Sequence, residues 1–153
     1  MPENRLESLR HIVDDILHSQ PDPEGRRCGF VHLYGVALTA EILAHRRGLN
    51  PEVCATAAML HDISTYRSGD SNNHAARGAV EARQILEQLK LYSREEIDTI
   101  SEAIRSHSDK ESIDSPYCEL LKDADVLQHH LYNPELKKAW LPRIQNLKTE
   151  LGL

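Results

Sequence analysis

The sequence has few cysteines and very little phenylalanine or tryptophan. Its three cysteines show no CxxC spacing, so they indicate neither a disulfide framework nor a cysteine-rich zinc site. One Phe and one Trp among 153 residues predict a core of aliphatic side chains. Such a core suits helices packed on helices better than a β-sandwich. No stretch alternates apolar and polar residues as a strand would, and we predict an all-α protein.

Basic blocks and long apolar runs are also missing. The formal net charge is −6 and no Lys/Arg block stands out, which disfavours a nucleic acid polymer as partner. The first ten residues, MPENRLESLR, lack the apolar segment of a signal peptide. No apolar run approaches the length of a transmembrane helix. We therefore expect a cytoplasmic protein that does not bind membranes.

The chain length predicts one domain, residues 1–153, with six or seven helices. Apolar periodicity and capping residues place these helices at about 6–17, 29–47, 51–62, 74–89, 93–107, 116–128 and 134–147. Loops are predicted at 20–25, 64–72 and 108–114, where polar residues, Pro or Gly concentrate. Ser93 and Glu96 have the spacing of a capping box, and Asn73 is a candidate cap for the fourth helix.

The dipeptide His61-Asp62 is the most distinctive polar feature of the sequence. It closes the run 55–60 (ATAAML), which has no charged residue and is expected to be buried. An unpaired charge is costly there, and a divalent metal ion would supply a partner. Imidazole and carboxylate together suit Zn, Fe or Mn. From the dipeptide alone, a hydrogen-bonded pair that caps the helix is the simpler interpretation.

Two more polar residues lie on apolar helix faces. His32 shares a face with Val36 at i+4 and is predicted to point inward, where a core histidine bonded to a backbone carbonyl is the alternative. Asp125 shares a face with Leu121, and a carboxylate in that position needs a cation. Asp123 is expected to point elsewhere, toward solvent or a salt bridge.

His74 and His107 are predicted at helix ends. His74 begins the fourth helix, and His107 ends the fifth, on the same side as the apolar residues Ile100 and Ile104. Helix ends meet in clefts, so both positions are suitable for ligands of a metal ion.

The order of these residues resembles the HD superfamily of metal-dependent phosphohydrolases. The segment from His32 through LYGVALTAEILAHRRGLNPEVCATAAM to LHDI resembles the first ligand helix, the turn and the HD helix of that family. Ala124-Asp125 matches the family's late aspartate. The segments NHAARGA (73–79) and AIRSH (103–107) resemble the subgroup with two added histidines, whose members hold two metal ions.

The resemblance implies a ligand set and a reaction. The first divalent metal ion would be bound by His32, His61, Asp62 and Asp125, and the second by His74, His107 and a bridging Asp62. The metals would be Fe, Mn, Zn or Mg. The implied reaction is attack by a metal-bound hydroxide on a small phosphate ester, nucleotide or dinucleotide, with His61 and Asp62 in catalytic roles.

The cation that would bind the substrate phosphate is less clearly marked. Cyclic-dinucleotide enzymes of the family carry a Lys shortly after the HD pair and a Gly-Tyr-Pro motif; both are missing here, which argues against that substrate class. The candidates are Arg67, Arg77, Arg105 and Lys110. We favour Arg77 as a catalytic residue because it lies at i+3 from His74, on the same side of the helix. A solvated surface arginine is the alternative.

Two other functions are compatible with this set of candidate ligands. Some HD-fold proteins with the same six ligands are di-iron oxygenases that act on small polyols or phosphonates. A non-catalytic regulatory module with a structural metal is the second alternative, although mixed His/Asp ligands differ from closed Cys-rich sites.

The remaining residues of interest are expected at the surface. Histidines 11, 18, 45, 129 and 130 have no place in the family pattern, with 129 or 130 the ones that would approach the cavity mouth. The last helix has an apolar face of Leu136, Trp140, Ile144 and Leu147. This face is expected to pack on the domain, or alternatively on a second subunit, which would make a homodimer possible.

Overall fold

A computed structural model describes residues 4–134 and 137–153, and these ranges contain helices but no strand. The α-helices are α1 (Arg5–His18), α2 (Pro23–Arg47), α3 (Pro51–Leu60), α4 (Ile63–Ser68), α5 (His74–Leu89), α6 (Arg94–Ser106), α7 (Pro116–Tyr132) and α8 (Leu141–Leu151). A single 3₁₀ turn, Lys138–Trp140, precedes α8. The predicted all-α class is confirmed.

Capping chemistry explains where several helices begin and end. Asn50 accepts hydrogen bonds from backbone N–H groups in the first turn of α3, and Pro51 occupies its first position. Ser93 and Glu96 form the predicted capping box at the start of α6. Gly48 ends α2 in the left-handed conformation that glycine adopts without steric cost.

Two helix boundaries and one helix cap differ from the sequence prediction. α2 begins at Pro23 rather than Gly29, because the Asp22 carboxylate caps a helix in the second half of the predicted loop. The predicted loop 64–72 begins with the short helix α4, whose Ile63 and Ser64 are buried. Asn73 directly precedes α5, but it has a φ of 52° and its side chain makes no capping hydrogen bond.

The C-terminal prediction needs the largest correction. α7 extends to Tyr132, and the last helix begins at Leu141 instead of Asn133-Pro134. Ile144 and Leu147 are buried against the domain, as the apolar face predicted. Trp140 is partly buried against the same core. Leu136 lies outside the described residues.

The core is aliphatic. α2 packs against α3 and α7, α5 packs against α6, and α8 packs on α7. Within the described ranges, Tyr92 is the one aromatic residue among the buried hydrophobic side chains. α2 meets the length and hydropathy of a membrane span, but half of that window is buried inside the protein, as in a core helix.

Candidate metal centre

Five separate parts of the chain bring the six predicted ligands together. His32 lies within α2, and Asp125 lies within α7. His61 and Asp62 form the turn between α3 and α4, while His74 is the first residue of α5 and His107 follows α6 as its cap. Helix ends thus supply four of the six side chains, and the two packed helices α2 and α7 supply the others.

One half of the cluster joins α2, α3 and α7. The Nε2 atoms of His32 and His61 are 3.1 Å apart. Asp125 Oδ1 lies 3.4 Å from His32 Nε2 and 3.6 Å from His61 Nε2. Asp62 Oδ2 completes the group, at 3.2 Å from His32 Nε2 and 3.3 Å from His61 Nε2.

The other half joins α5 and α6. The Nε2 atoms of His74 and His107 are 3.3 Å apart. Asp62 Oδ1 lies 3.5 Å from His74 Nε2 and 3.2 Å from His107 Nε2. The two carboxylate oxygens of Asp62 therefore face two different histidine pairs, which is the geometry of a bridging ligand.

The other ring nitrogen of each histidine is held by an oxygen acceptor. His61 Nδ1 is 2.6 Å from the Ala58 carbonyl, and His107 Nδ1 is 2.6 Å from the Ile104 carbonyl. The corresponding contacts are His74 Nδ1 to the Ser71 carbonyl at 3.0 Å and His32 Nδ1 to Gln128 Oε1 at 2.8 Å. With the proton on Nδ1 in each case, the lone pair of Nε2 is directed at the cluster, as metal-ligating histidines require.

A buried carboxylate oxygen of Asp125 indicates that these residues suit a metal ion. Asp125 Oδ1 is buried and accepts no hydrogen bond, whereas Oδ2 accepts one from Lys110 Nζ at 2.7 Å. A buried carboxylate oxygen without a partner is costly. The ligand atoms of His61, His107 and Asp125 lie within 4.8 Å of one another, as do those of Asp62, His74 and His107. A divalent cation would satisfy this set of nitrogen and oxygen donors.

The electrostatics of the cluster favour cation binding. Burial would raise the pKa of Asp62, but the charge of His61 and hydrogen bonds from neighbouring histidines hold it well below its usual range. Burial would also raise the pKa of Asp125, but the nearby imidazoles of His129 and His61, at ion-pair distance from its Oδ1, and the charge of Lys110 hold that pKa well below its usual range. Burial lowers the pKa of His107. Burial would also lower the pKa of His61, but Asp62 and Asp125 raise it to about 10, so a bound metal would displace a proton from this imidazole.

The cluster forms one side of a cavity of about 290 Å³. Its walls are formed by Asp62, His74, His107, Ser108, Lys110, Asp125, His129, Lys137 and Trp140. A larger cleft between α5 and α6, about 460 Å³, contains none of the six predicted ligands. The cavity beside the cluster is therefore where a substrate would meet the metal centre.

Arg77 lies apart from this cavity. Its guanidinium donates hydrogen bonds to the hydroxyl groups of Ser64 and Ser68 and to Asp70, which ties α5 to α4 and the loop after it. It is not among the lining residues, and its phosphate-binding role stays a prediction. Lys110, another candidate from the sequence, is the one that reaches the cavity wall.

Two further residues lie near the ligands. Gln128 is buried and orients His32, and nothing in the sequence marked it. His129 was expected at the surface, with 129 or 130 approaching the cavity mouth; its side chain is 49% exposed, it lines the cavity, and its Nε2 lies 3.4 Å from Asp125 Oδ1. The i+4 spacing from Asp125 would have identified His129 as a neighbour of the ligand.

Comparison with known proteins agrees with this geometry. The family model of the HD domain matches residues 29–129, more than half of the chain. The crystal structure of a predicted HD superfamily hydrolase from an uncultured Thermotogales bacterium superimposes with a TM-score of 0.69. It is 22% identical, over 96% of this chain and 87% of that one, and at that identity the likeness establishes the fold. No curated protein sequence gives a significant match. The family resemblance is confirmed, and the chain belongs to the HD domain family.

Proposed function

We propose that this protein is a metal-dependent phosphohydrolase that acts on a small phosphate ester, nucleotide or dinucleotide. The observation that carries the proposal is the position of Asp62. Its Oδ2 faces His32 and His61, and its Oδ1 faces His74 and His107. A carboxylate shared between two ligand groups is suited to hold two metal ions, and two-metal hydrolases use such ions to stabilise the attacking and leaving oxygens of phosphoryl transfer.

The six side chains divide into two ligand groups. The first is His32, His61 and Asp125, and the second is His74 and His107, with Asp62 shared. A divalent metal ion held there would polarise a phosphoryl oxygen and generate a nucleophile from water at neutral pH.

The protein itself would orient these ligands and admit the substrate. Lys110 holds Asp125 by its Oδ2 and leaves Oδ1 directed at the cluster. Backbone carbonyls and Gln128 fix the imidazole rings from behind. Asp62, His74 and His107 line the cavity, so the half that contains Asp62 Oδ1 is the half a substrate would approach.

The size of the cavity favours a small substrate. About 290 Å³ lies near the lower limit, about 300 Å³, of typical small-molecule pockets. The net charge of −6 gives no support for binding a nucleic acid polymer. We also infer a reducing cytoplasmic location, supported by three cysteines that are all unpaired.

The test is phosphate release from p-nitrophenyl phosphate, nucleotides and dinucleotides with Mn²⁺, Fe²⁺, Zn²⁺ or Mg²⁺. We expect turnover by the wild type and a loss of at least about a hundredfold in kcat/KM for Asp62→Asn, because the shared ligand is weakened. His45→Ala is the matched control, since His45 is exposed near the end of α2 and away from the cluster. Oxygen consumption by the iron-loaded protein without phosphate release would instead favour the oxygenase alternative.

A further inference from the structure

Two lysines and the tryptophan line the same cavity as the ligand cluster. Lys110 Nζ lies 5.9 Å from the centre of the Trp140 ring, and Lys137 Nζ lies 4.8 Å from it. The ring of His129 lies 5.5 Å from the same tryptophan. These groups come from the loop after α6, from α7 and from the segment that leads into α8, and all of them line the cavity. We call Lys110, Lys137 and Trp140 the lysine–tryptophan wall.

Lys110 is an unusual cation because it is nearly buried. Its side chain is 8% exposed, and its ammonium donates to Asp125 Oδ2 at 2.7 Å and to the His107 carbonyl at 2.5 Å. Both acceptors belong to residues of the ligand cluster. The Lys110 carbonyl accepts a hydrogen bond from Arg143, which fixes the backbone from the other side. The ammonium group is therefore held beside the metal centre before any substrate arrives.

Lys137 contributes a second cation at the cavity mouth. Its residue is exposed, and no carboxylate among the described residues lies within ion-pair distance of its ammonium group. The ammonium group lies over the face of Trp140, and an aromatic face attracts a cation without neutralising its charge. The positive charge of Lys137 is therefore available to an anion that enters the cavity.

We propose that the lysine–tryptophan wall is a phosphate subsite that selects substrates with a terminal, dianionic phosphate, as in a phosphate monoester. This inference rests on the proposed function and names its substrate class. Lys137 supplies a charge that no described carboxylate neutralises, and the Lys110 ammonium has three N–H donors, of which Asp125 and the His107 carbonyl accept two. An anion with two negative charges gains more from these donors than one with a single charge, because each charge-assisted hydrogen bond strengthens with the charge of the acceptor. A phosphodiester carries one charge and would gain less from the pair.

The subsite lies partly outside the family core. The HD match ends at residue 129, whereas Lys137 and Trp140 follow it. The segment before α8 thus supplies substrate recognition to a metal centre that the HD helices build. We expect substitution of Lys137, which contacts none of the predicted ligands, to change which phosphate binds without removing the metals.

The single tryptophan of the chain provides a direct reporter, because Trp140 is itself part of the wall. Binding of methyl phosphate and of dimethyl phosphate to the zinc-loaded protein would be followed by tryptophan fluorescence at pH 8, where the monoester is a dianion. The variant is Lys137→Met, and the matched control is Lys138→Met, the adjacent exposed lysine that does not line the cavity. Zinc content would be measured for every protein.

We expect methyl phosphate to bind more tightly than dimethyl phosphate. Lys137→Met should weaken methyl phosphate binding about tenfold at unchanged zinc content, while Lys138→Met binds as the wild type does. Equal affinity of Lys137→Met and wild type, or equal affinity for the two esters, would overturn the subsite even if the protein hydrolyses phosphate esters. Lysine-dependent binding without turnover would support the subsite and contradict the proposed function.

Discussion

Gln128 offers the sharpest test of how the ligand cluster is held. Its Oε1 accepts the hydrogen bond from His32 Nδ1 at 2.8 Å, and both residues are buried. Gln128→Met removes the acceptor but keeps the shape, including the Cγ that lies 2.9 Å from where a Cβ on Gly35 would stand. The substitution therefore isolates the hydrogen bond from the packing.

Two effects follow from the loss of that acceptor. The buried N–H of His32 is left without a partner, which costs about 1–3 kcal/mol of folding free energy in the metal-free protein. The imidazole is also free to carry its proton on Nε2, where it blocks the lone pair that faces His61 and Asp125. Loss of such a supporting contact typically lowers metal affinity about 10- to 100-fold, or about 1.4–2.7 kcal/mol.

The assay is competition with a chelating dye, run on wild type, Gln128→Met and Gln128→Glu. The glutamate keeps an acceptor of the same length, so we expect it to bind metal at least as tightly as the wild type. The methionine variant should lose affinity at the half of the cluster that contains His32 and keep it at the half that contains His74. Wild-type affinity at both halves in Gln128→Met would show that this hydrogen bond does not orient His32.

Two further predictions concern stability. Arg5 hydrogen bonds lower the pKa of Glu96 below its ordinary 4.5, so the Glu96 contribution is complete above pH 4.5 and is lost as the pH falls through the lowered folded value. Glu96→Gln should therefore reduce the free energy of unfolding by about 1–2 kcal/mol at pH 7, and the difference from wild type should narrow as the pH falls below 4.5, as measured by urea denaturation. Gly78→Ala should cost about 1–3 kcal/mol and weaken metal binding, since its Cβ would lie 3.1 Å from the His61 carbonyl; thermal denaturation and metal titration check both effects.

For each of these stability predictions, one outcome would contradict the reasoning. Glu95→Gln is the control for Glu96, because Glu95 is exposed and forms no ion pair with any described residue. An equal loss in both variants, or a Glu96→Gln effect that does not narrow as the pH falls below 4.5, would exclude the Arg5 ion pair as the cause. Wild-type stability and metal affinity in Gly78→Ala would show that α5 can move away from the HD turn without cost.

The sequence was sufficient for the architecture because helix-forming signals are local. Asn50-Pro51, Ser93 with Glu96, and Gly48 each define a helix end by chemistry that acts over a few residues. α4 was missed because its six residues are polar in pattern and its helix depends on burial of Ile63 and Ser64 in the tertiary fold. Propensity gives no indication of that burial.

The convergence of the six candidate ligands was predictable for a different reason. Histidines and acids on apolar helix faces need partners, and their order along the chain matched a family pattern. The other residues that support the ligands or line the cavity neither match the family pattern nor stand out as charged groups on an apolar helix face. Gln128 is a neutral side chain, and Lys137 acquires its role through contact with Trp140, which depends on where the segment before α8 crosses the cavity.

Asp62 is proposed to be shared by the two halves of a metal centre, and metal content tests this proposal most directly. Elemental analysis would compare wild type, His61→Ala/Asp62→Ala and His74→Ala/His107→Ala, each purified without added metal. We expect about two divalent metal ions per wild-type chain, none in the first variant and about one in the second, since the group of His32, His61 and Asp125 remains. Absence of metal from the wild type, with none taken up on addition, would contradict the metal centre and every step built on it.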